Sequence, residues 1–242
     1  MSEGVRIAMW SGPRNISTAM MRSFGSRADC AVTDEPFYGA FLKDSGDPHP
    51  MATEIIEQMD CDWESVLATQ SGAIPAGKRY WYQKHMPHHM IGAVSIRDMP
   101  RHRHAFMIRA PERVVASYRN KNELRSPAAL GFARLREYFE WEADRLGAAP
   151  PVVDSDAILR DPTEVLGRLC NALAMEWDPA MLKWEKGLHS EDGIWGVHWY
   201  DKVNASTGFE RSAGEMPDLE GDYLAVADAC RADYEAVKKF AL

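Results

Sequence analysis

The sequence predicts an α/β fold, a parallel sheet flanked by helices in three layers. Short apolar runs alternate with amphipathic stretches along the chain, the pattern of strands covered on both faces by helices. The first run, Val5-Arg6-Ile7-Ala8-Met9-Trp10, feeds straight into a tight polar turn and then a helix. The chain has 242 residues, 45% hydrophobic and 26% charged, enough for one such domain with a sizeable core.

Each element has its own signal. Val5–Trp10 reads as the first strand and Ser17–Ser26 as its helix. Cys30–Thr33 is a short second strand running into Asp34-Glu35-Pro36-Phe37, and residues 44–50 form a polar, proline-containing loop. A helix is expected over Trp63–Thr69, a strand over Arg79–Gln83, and another strand over His104–Arg109. Pro111 then opens a helix, because proline suits the first helical turn. Phe132, Leu135, Phe139, Ala143 and Leu146 recur at spacings of three and four, so Ala128–Leu146 is expected to be helical. Val152-Val153 gives a short strand, and a helix follows Pro162 to about Leu173. The stretch Gly187–Gly214 carries Trp195, Trp199, Tyr200 and Phe209 without periodicity, as either a lid or a packed surface excursion. Tyr223, Val226, Cys230, Tyr234 and Val237 mark a C-terminal amphipathic helix. No repeat or linker divides the chain, so a single domain over residues 1–242 is expected.

Composition narrows the function. A net charge of −8 argues against general nucleic-acid binding and against electrostatic attachment to a membrane. An anionic ligand therefore needs a local basic site within an acidic protein. Cys30, Cys61, Cys170 and Cys230 are widely spaced, which fits free thiols in a reducing cytoplasm. Arg14 and Arg22 interrupt any signal-like apolar segment at the N-terminus, and no run is long enough to span a bilayer.

The turn Ser11-Gly12-Pro13-Arg14-Asn15-Ile16-Ser17-Thr18 joins a strand to a helix start, where backbone N–H groups and the helix dipole favour an anion. It resembles a nucleotide P-loop, with one difference that matters. Counting from Gly12, Ser17 stands where the second glycine would be and Thr18 where the lysine would be. Arg14 is the cation of this turn. Alternatively, Ser17 serves only to cap the helix. A second anion site is suggested by Arg109 at a strand end and Ser117 about two turns into the next helix, unless both are simply solvated.

Taken together, these segments resemble the sulfotransferases that use 3′-phosphoadenosine 5′-phosphosulfate (PAPS), a P-loop-NTPase-like α/β fold. Pro13-Arg14-Asn15-Ile16-Ser17-Thr18 is similar to the family's P-[KR]-S-G-[ST]-T loop for the 5′-phosphosulfate, with Asn15-Ile16 in place of Ser-Gly. Arg109, Pro111, Ser117 and Tyr118 meet the family's 3′-phosphate pattern. Gln83-Lys84-His85-Met86-Pro87 resembles the strand end that carries the family's histidine base, and Asp156–Pro162 its acidic segment. The resemblance covers residues 5–37, 79–120 and 150–173. It implies PAPS binding by Gly12, Pro13, Arg14, Asn15, Ile16, Ser17, Thr18, Arg109 and Ser117, with Lys202 contributing from the C-terminal region. PAP would be the product, the acceptor a small molecule, and no metal is expected.

Transfer of the sulfuryl group requires charge stabilisation on the leaving phosphate, a role open to Arg14. It also requires a base. His85 is the first candidate because imidazole titrates near neutrality, and Glu35 competes because some carbohydrate-sulfating relatives use a glutamate there. Two alternatives stay open: a Mg-ATP-dependent small-molecule kinase, disfavoured by the missing lysine, and a non-catalytic nucleotide-binding protein of the same fold. A metal site at His85, His88 and His89 is disfavoured by the lack of a carboxylate nearby in sequence. Arg101-His102-Arg103-His104 reads as a solvated loop, and Trp195 and Trp199 as core or as stacking platforms. Residues 40–78 and 187–216, where the resemblance fades, are the expected acceptor-side or lid insertions. Neither the acceptor nor the oligomeric state is written in the sequence.

Overall fold

The computed structural model describes residues 4–120, 126–210 and 214–242. Five parallel strands, β1 (Val5–Ser11), β2 (Cys30–Asp34), β3 (Tyr80–His85), β4 (His102–Ile108) and β5 (Val152–Asp154), lie in the order β2-β3-β1-β4-β5. Helices α1 (Ser17–Gly25), α2 (Tyr38–Ser45), α3 (Ala52–Gln58) and α4 (Trp63–Ser71) occupy the first third. The central region adds α5 (Pro111–Tyr118), α6 (Phe132–Leu146), α7 (Ser155–Arg160) and α8 (Pro162–Ala172). Two short helices, α9 (Gly196–Trp199) and α10 (Asp201–Ala205), precede the terminal α11 (Gly221–Lys238).

The three layers follow from the two-residue period of each strand. Ile7 and Met9 of β1 pack with Met20, Met21 and Phe24 of α1 and with Leu166 and Leu169 of α8. Ala8 and Trp10, pointing the other way, pack with Leu135, Tyr138 and Phe139 of α6 and Tyr234 of α11. Both faces are therefore dry, as a parallel sheet requires. The strand order reverses at β1, between β3 and β4, so the crevice at the carboxyl ends of these strands is the natural ligand position. None of the described helices is long and apolar enough to cross a membrane.

Several boundaries moved for identifiable reasons. Helix α6 begins at Phe132 rather than Ala128, because Gly131 takes φ 73° and ends a separate 3-10 turn over Pro127–Leu130. The run Arg101–His104 is not a solvated loop: β4 starts at His102, and alternation buries His102 and His104 while Arg101 and Arg103 stay exposed. Helices α2 and α3 occupy stretches with no clear helical signal. Between residues 187 and 210 the chain folds into α9 and α10 and packs down (211–213, part of the expected insertion, lie outside the described residues): the Arg22 guanidinium donates to Asp192 Oδ2 at 2.6 Å, Asn204 Oδ1 at 3.1 Å and the Gly187 carbonyl at 3.2 Å. With both charged partners buried, this clamp makes the segment a packed excursion.

Candidate active site

A cavity of about 580 Å³ opens at the carboxyl ends of β1, β3 and β4. Its first wall is the turn between β1 and α1. Arg14 (φ 62°) and Ile16 (φ 57°) both adopt the left-handed conformation, and both line the cavity. Ile16 sits at the N-cap of α1 without any side-chain cap, so the N–H groups opening that helix are not satisfied by a capping side chain. Gly12 is required by space: a Cβ there would lie 2.4 Å from the Leu130 carbonyl oxygen.

Arg109, just beyond β4, meets this turn. Its Nη1 donates to the Arg14 carbonyl at 3.0 Å, while Arg14 Nε donates to Ser117 Oγ of α5 at 2.9 Å. Asp156 is shared between Arg109 (3.3 Å) and Arg113 (2.8 Å), so one carboxylate faces two guanidinium groups. Burial, with Arg109 close by, holds the Arg14 guanidinium below the usual arginine range. The result is a cationic, hydroxyl-lined corner in which Arg14, Ser17, Thr18, Arg109 and Ser117 all face the cavity.

The opposite wall is built by β2 and β3, and it centres on a buried lysine. Lys84 Nζ donates to Asp34 Oδ1 at 2.7 Å, Glu35 Oε1 at 2.6 Å and the Tyr200 hydroxyl at 2.8 Å. Burial alone would lower the Lys84 pKa, but the two carboxylates hold it well above the ordinary value, so the ammonium stays charged. Asp34 Oδ2 accepts further bonds from the Tyr200 hydroxyl (2.6 Å) and the Gly193 N–H (3.2 Å). Glu35 faces the cavity, with Oε2 3.5 Å from His89 Nδ1. Glu35, the first residue after β2, has a left-handed backbone (φ 41°).

Comparison with known proteins decides the family. The model of the sulfotransferase domain matches residues 5–241. The chain belongs to the sulfotransferase-domain family. Two curated Arabidopsis thaliana proteins, branched-chain-amino-acid aminotransferase-like proteins 1 and 2, are each 36% identical, over 212 and 203 residues, covering 86% and 84% of this chain. Those alignments span only 37% and 36% of the two proteins, so the chain corresponds to little over a third of their length. Among solved structures, mouse sulfotransferase SULT7A1 complexed with PAP superposes with a TM-score of 0.57 at 12% identity, covering 99% of this chain and 90% of that one. A sulfotransferase from Alicyclobacillus acidocaldarius gives 0.56 at 13% identity, covering 99% and 96%. The sulfotransferase domain from the curacin biosynthetic pathway gives 0.54 at 11%, covering 96% and 99%. At these identities the structures establish the shared fold.

Within this sulfotransferase-domain chain the expected site residues divide into two groups. Pro13, Arg14, Ile16, Ser17, Thr18, Glu35, Arg109, Ser117 and Lys202 come together around the cavity. Gly12 and Asn15 do not line it. Asn15 turns its amide into the fold, 3.4 Å from the Met107 carbonyl. His85 is not brought to the cavity either. The two-residue period of β3 sends Lys84 toward it and His85 to the other face, where the imidazole stacks on Trp10 at 4.7 Å and contacts Gln83 Oε1 at 3.3 Å. Burial there pushes the His85 pKa well down. Among the described residues, no group of three or more His, Cys, Asp and Glu side chains is arranged to hold a metal. Sequence reasoning missed Lys84 and Tyr200 altogether. The available signal was a lysine in the last two residues of a strand, Gln83-Lys84-His85, with an Asp-Glu pair at the end of another.

Proposed function

We propose that the chain moves a sulfuryl group from PAPS to a hydroxyl or amine of a small-molecule acceptor. The observation that carries this reading is the meeting of Arg14, Arg109 and Ser117 in one corner beneath the uncapped start of α1. Two guanidinium groups, three hydroxyls and free helix N–H groups fit a ligand with phosphates at two positions. Ile16 takes the left-handed conformation at the place where the family loop has glycine, which supports the same turn shape.

In this reading Arg14 and the N–H groups of the turn hold the 5′-phosphate, and Arg109 with Ser117 holds the 3′-phosphate. Glu35 takes the proton from the acceptor as its O–S or N–S bond forms. Arg14 stabilises the phosphate oxygen that receives the electron pair of the breaking S–O bond. Lys84 anchors Glu35 from behind, and the stretches around Phe41–His49 and Trp195–Glu210 supply acceptor-side walls.

Calorimetry with PAP, ATP and ATP plus Mg²⁺ tests the donor. PAP should bind tightest, and Arg109→Ala should weaken PAP far more than adenosine 5′-phosphosulfate, which lacks the 3′-phosphate. A charged hydrogen bond is worth about 1.5–3 kcal/mol, so a loss of roughly ten- to a hundredfold is expected. Tight Mg-ATP binding with none to PAP overturns the reading.

A further inference from the structure

Beyond the two arginines the cavity is walled by rings. Tyr38 lies nearly parallel to His89 at 4.8 Å, and Phe41 covers His89 from 4.4 Å. Trp195 meets Tyr38 edge-on at 4.9 Å, and Trp199 stands 6.0 Å from His49. All of these rings face the cavity. Burial and the neighbouring His49 hold the His89 pKa well below its ordinary value, so His89 offers an aromatic surface rather than a charge.

Lys202 on α10 also lines the cavity, but the carboxylates gather on the side formed by β2 and the segment after α2. One ammonium, Lys84, already serves two carboxylates, Asp34 and Glu35. Asp47 adds a further carboxylate to the cavity lining. Burial raises the Tyr38 phenol pKa, and Glu35 and Asp47 raise it further, which places the field of both acids on the same ring. A neutral aromatic acceptor would be served by the rings alone and gains nothing from the acids. An anionic acceptor would be repelled by them. An ammonium group gains from both, since aromatic faces and carboxylates each attract a cation.

We propose that the acceptor is a cationic alcohol: a small molecule whose ammonium group sits among Tyr38, Phe41, Trp199 and Asp47 while its hydroxyl reaches Glu35. This rests on the sulfuryl-transfer reading for the hydroxyl, but the cation site is testable by binding alone. The probes are choline and 3,3-dimethyl-1-butanol, which share a shape and differ in the charge. Each is titrated into the full chain with and without PAP. Choline should bind about tenfold tighter, the fold-change corresponding to about 1.4 kcal/mol. Asp47→Asn and Trp199→Leu should each shrink that ratio and leave the neutral alcohol little changed. Asp47 is half-exposed on a loop, so its variant keeps the test available if Trp199→Leu does not fold. Equal or tighter binding of the neutral alcohol overturns the proposal, as does the absence of binding by either probe at millimolar concentration. Failure of PAP to bind is a separate outcome that removes the donor reading, while the comparison without PAP still decides the cation site.

Discussion

Replacing Lys84 by Met should cost the protein more stability than any other single change at the site, and the cost should depend on pH in a defined direction. The Lys84 side chain is 1% exposed and bonds to two carboxylates and a phenol. Methionine matches its volume, so little is lost in packing; what is lost is the countercharge to Asp34 and Glu35. Breaking a buried ion pair from one side typically costs about 3–5 kcal/mol. For a chain of this size that corresponds to a fall in Tm of roughly 6–20 °C. The Lys84 pKa is raised in the folded state, so its own contribution is fully present below the ordinary lysine value and is lost only as pH climbs through the folded one. The wild-type contribution of Lys84 is therefore flat between about pH 5 and pH 8. The variant behaves differently. Burial already pushes Asp34 up with Lys84 in place, and without the ammonium it rises further. A carboxyl group whose folded pKa is raised takes up protons on folding, so its penalty shrinks as the pH falls. Thermal melts of both proteins across that range should show the gap narrowing toward acid. A gap of less than about 2 °C at neutral pH, or one that does not change with pH, would refute the assignment of Lys84 as the countercharge.

Two further outcomes follow from the same geometry. Glu35→Gln should lower sulfuryl-transfer turnover by about 10²–10⁴-fold while leaving PAP affinity nearly intact, whereas His85→Ala should destabilise the fold yet keep most of the turnover; the reverse ranking in a transfer assay would return the base to His85. His102 and His104, buried on β4, have pKa values lowered by burial from 6.5 to about 4 and about 3. Their folded pKa values are depressed, so the stability they contribute is present above the ordinary value and lost as pH falls through the folded ones, by about 3 and about 5 kcal/mol at the limit. Acid unfolding followed by circular dichroism should shift to lower pH in His104→Phe; an unchanged midpoint would show that this imidazole is not a neutral core group.

What the sequence revealed, and what it hid, divides along physical lines. The five strands were legible from their apolar stretches, Val5–Trp10, Cys30–Val32, Tyr80–Tyr82, Ala105–Ile108 and Val152-Val153, whereas the polar start of β4 at His102 and Arg103 was not. The arginine corner was legible because its residues lie in two local segments, each with fixed spacing. Helix α2 was not, because Tyr38 through Leu42 are buried without interruption and leave no helical period to detect. The Asp34–Lys84–Tyr200 network was hidden for a different reason. It exists only because β2 and β3 are neighbours and because residues 193–200 fold back onto them, facts of topology that no local pattern contains. His85 shows the finest limit: a strand end was recognised, but one residue of phase decides which face a side chain takes.

The turn at residues 12–18 shows how a sulfotransferase-domain loop can dispense with glycine. An isoleucine in the left-handed region costs about 1–2 kcal/mol, because its Cβ approaches the following carbonyl. Yet Ile16 holds φ 57° here, and its side chain packs against the core beneath α1. Burying an aliphatic side chain of this size contributes about 1.5–3 kcal/mol when complete, so partial burial offsets much of the strain. Asn15 adds an anchor that serine could not reach as far to make, its amide 3.4 Å from the Met107 carbonyl on β4. The Ser155 hydroxyl donates to the Asn15 carbonyl at 2.9 Å and so ties the turn to the end of β5 as well. Conformational freedom in the glycine version has been exchanged for contacts with β4, β5 and the core. The exchange leaves Arg14 in the same left-handed turn, its guanidinium fixed on Ser117 and its carbonyl on Arg109, so the charge is held in place before any ligand arrives, as the proposed transfer of a sulfuryl group would require.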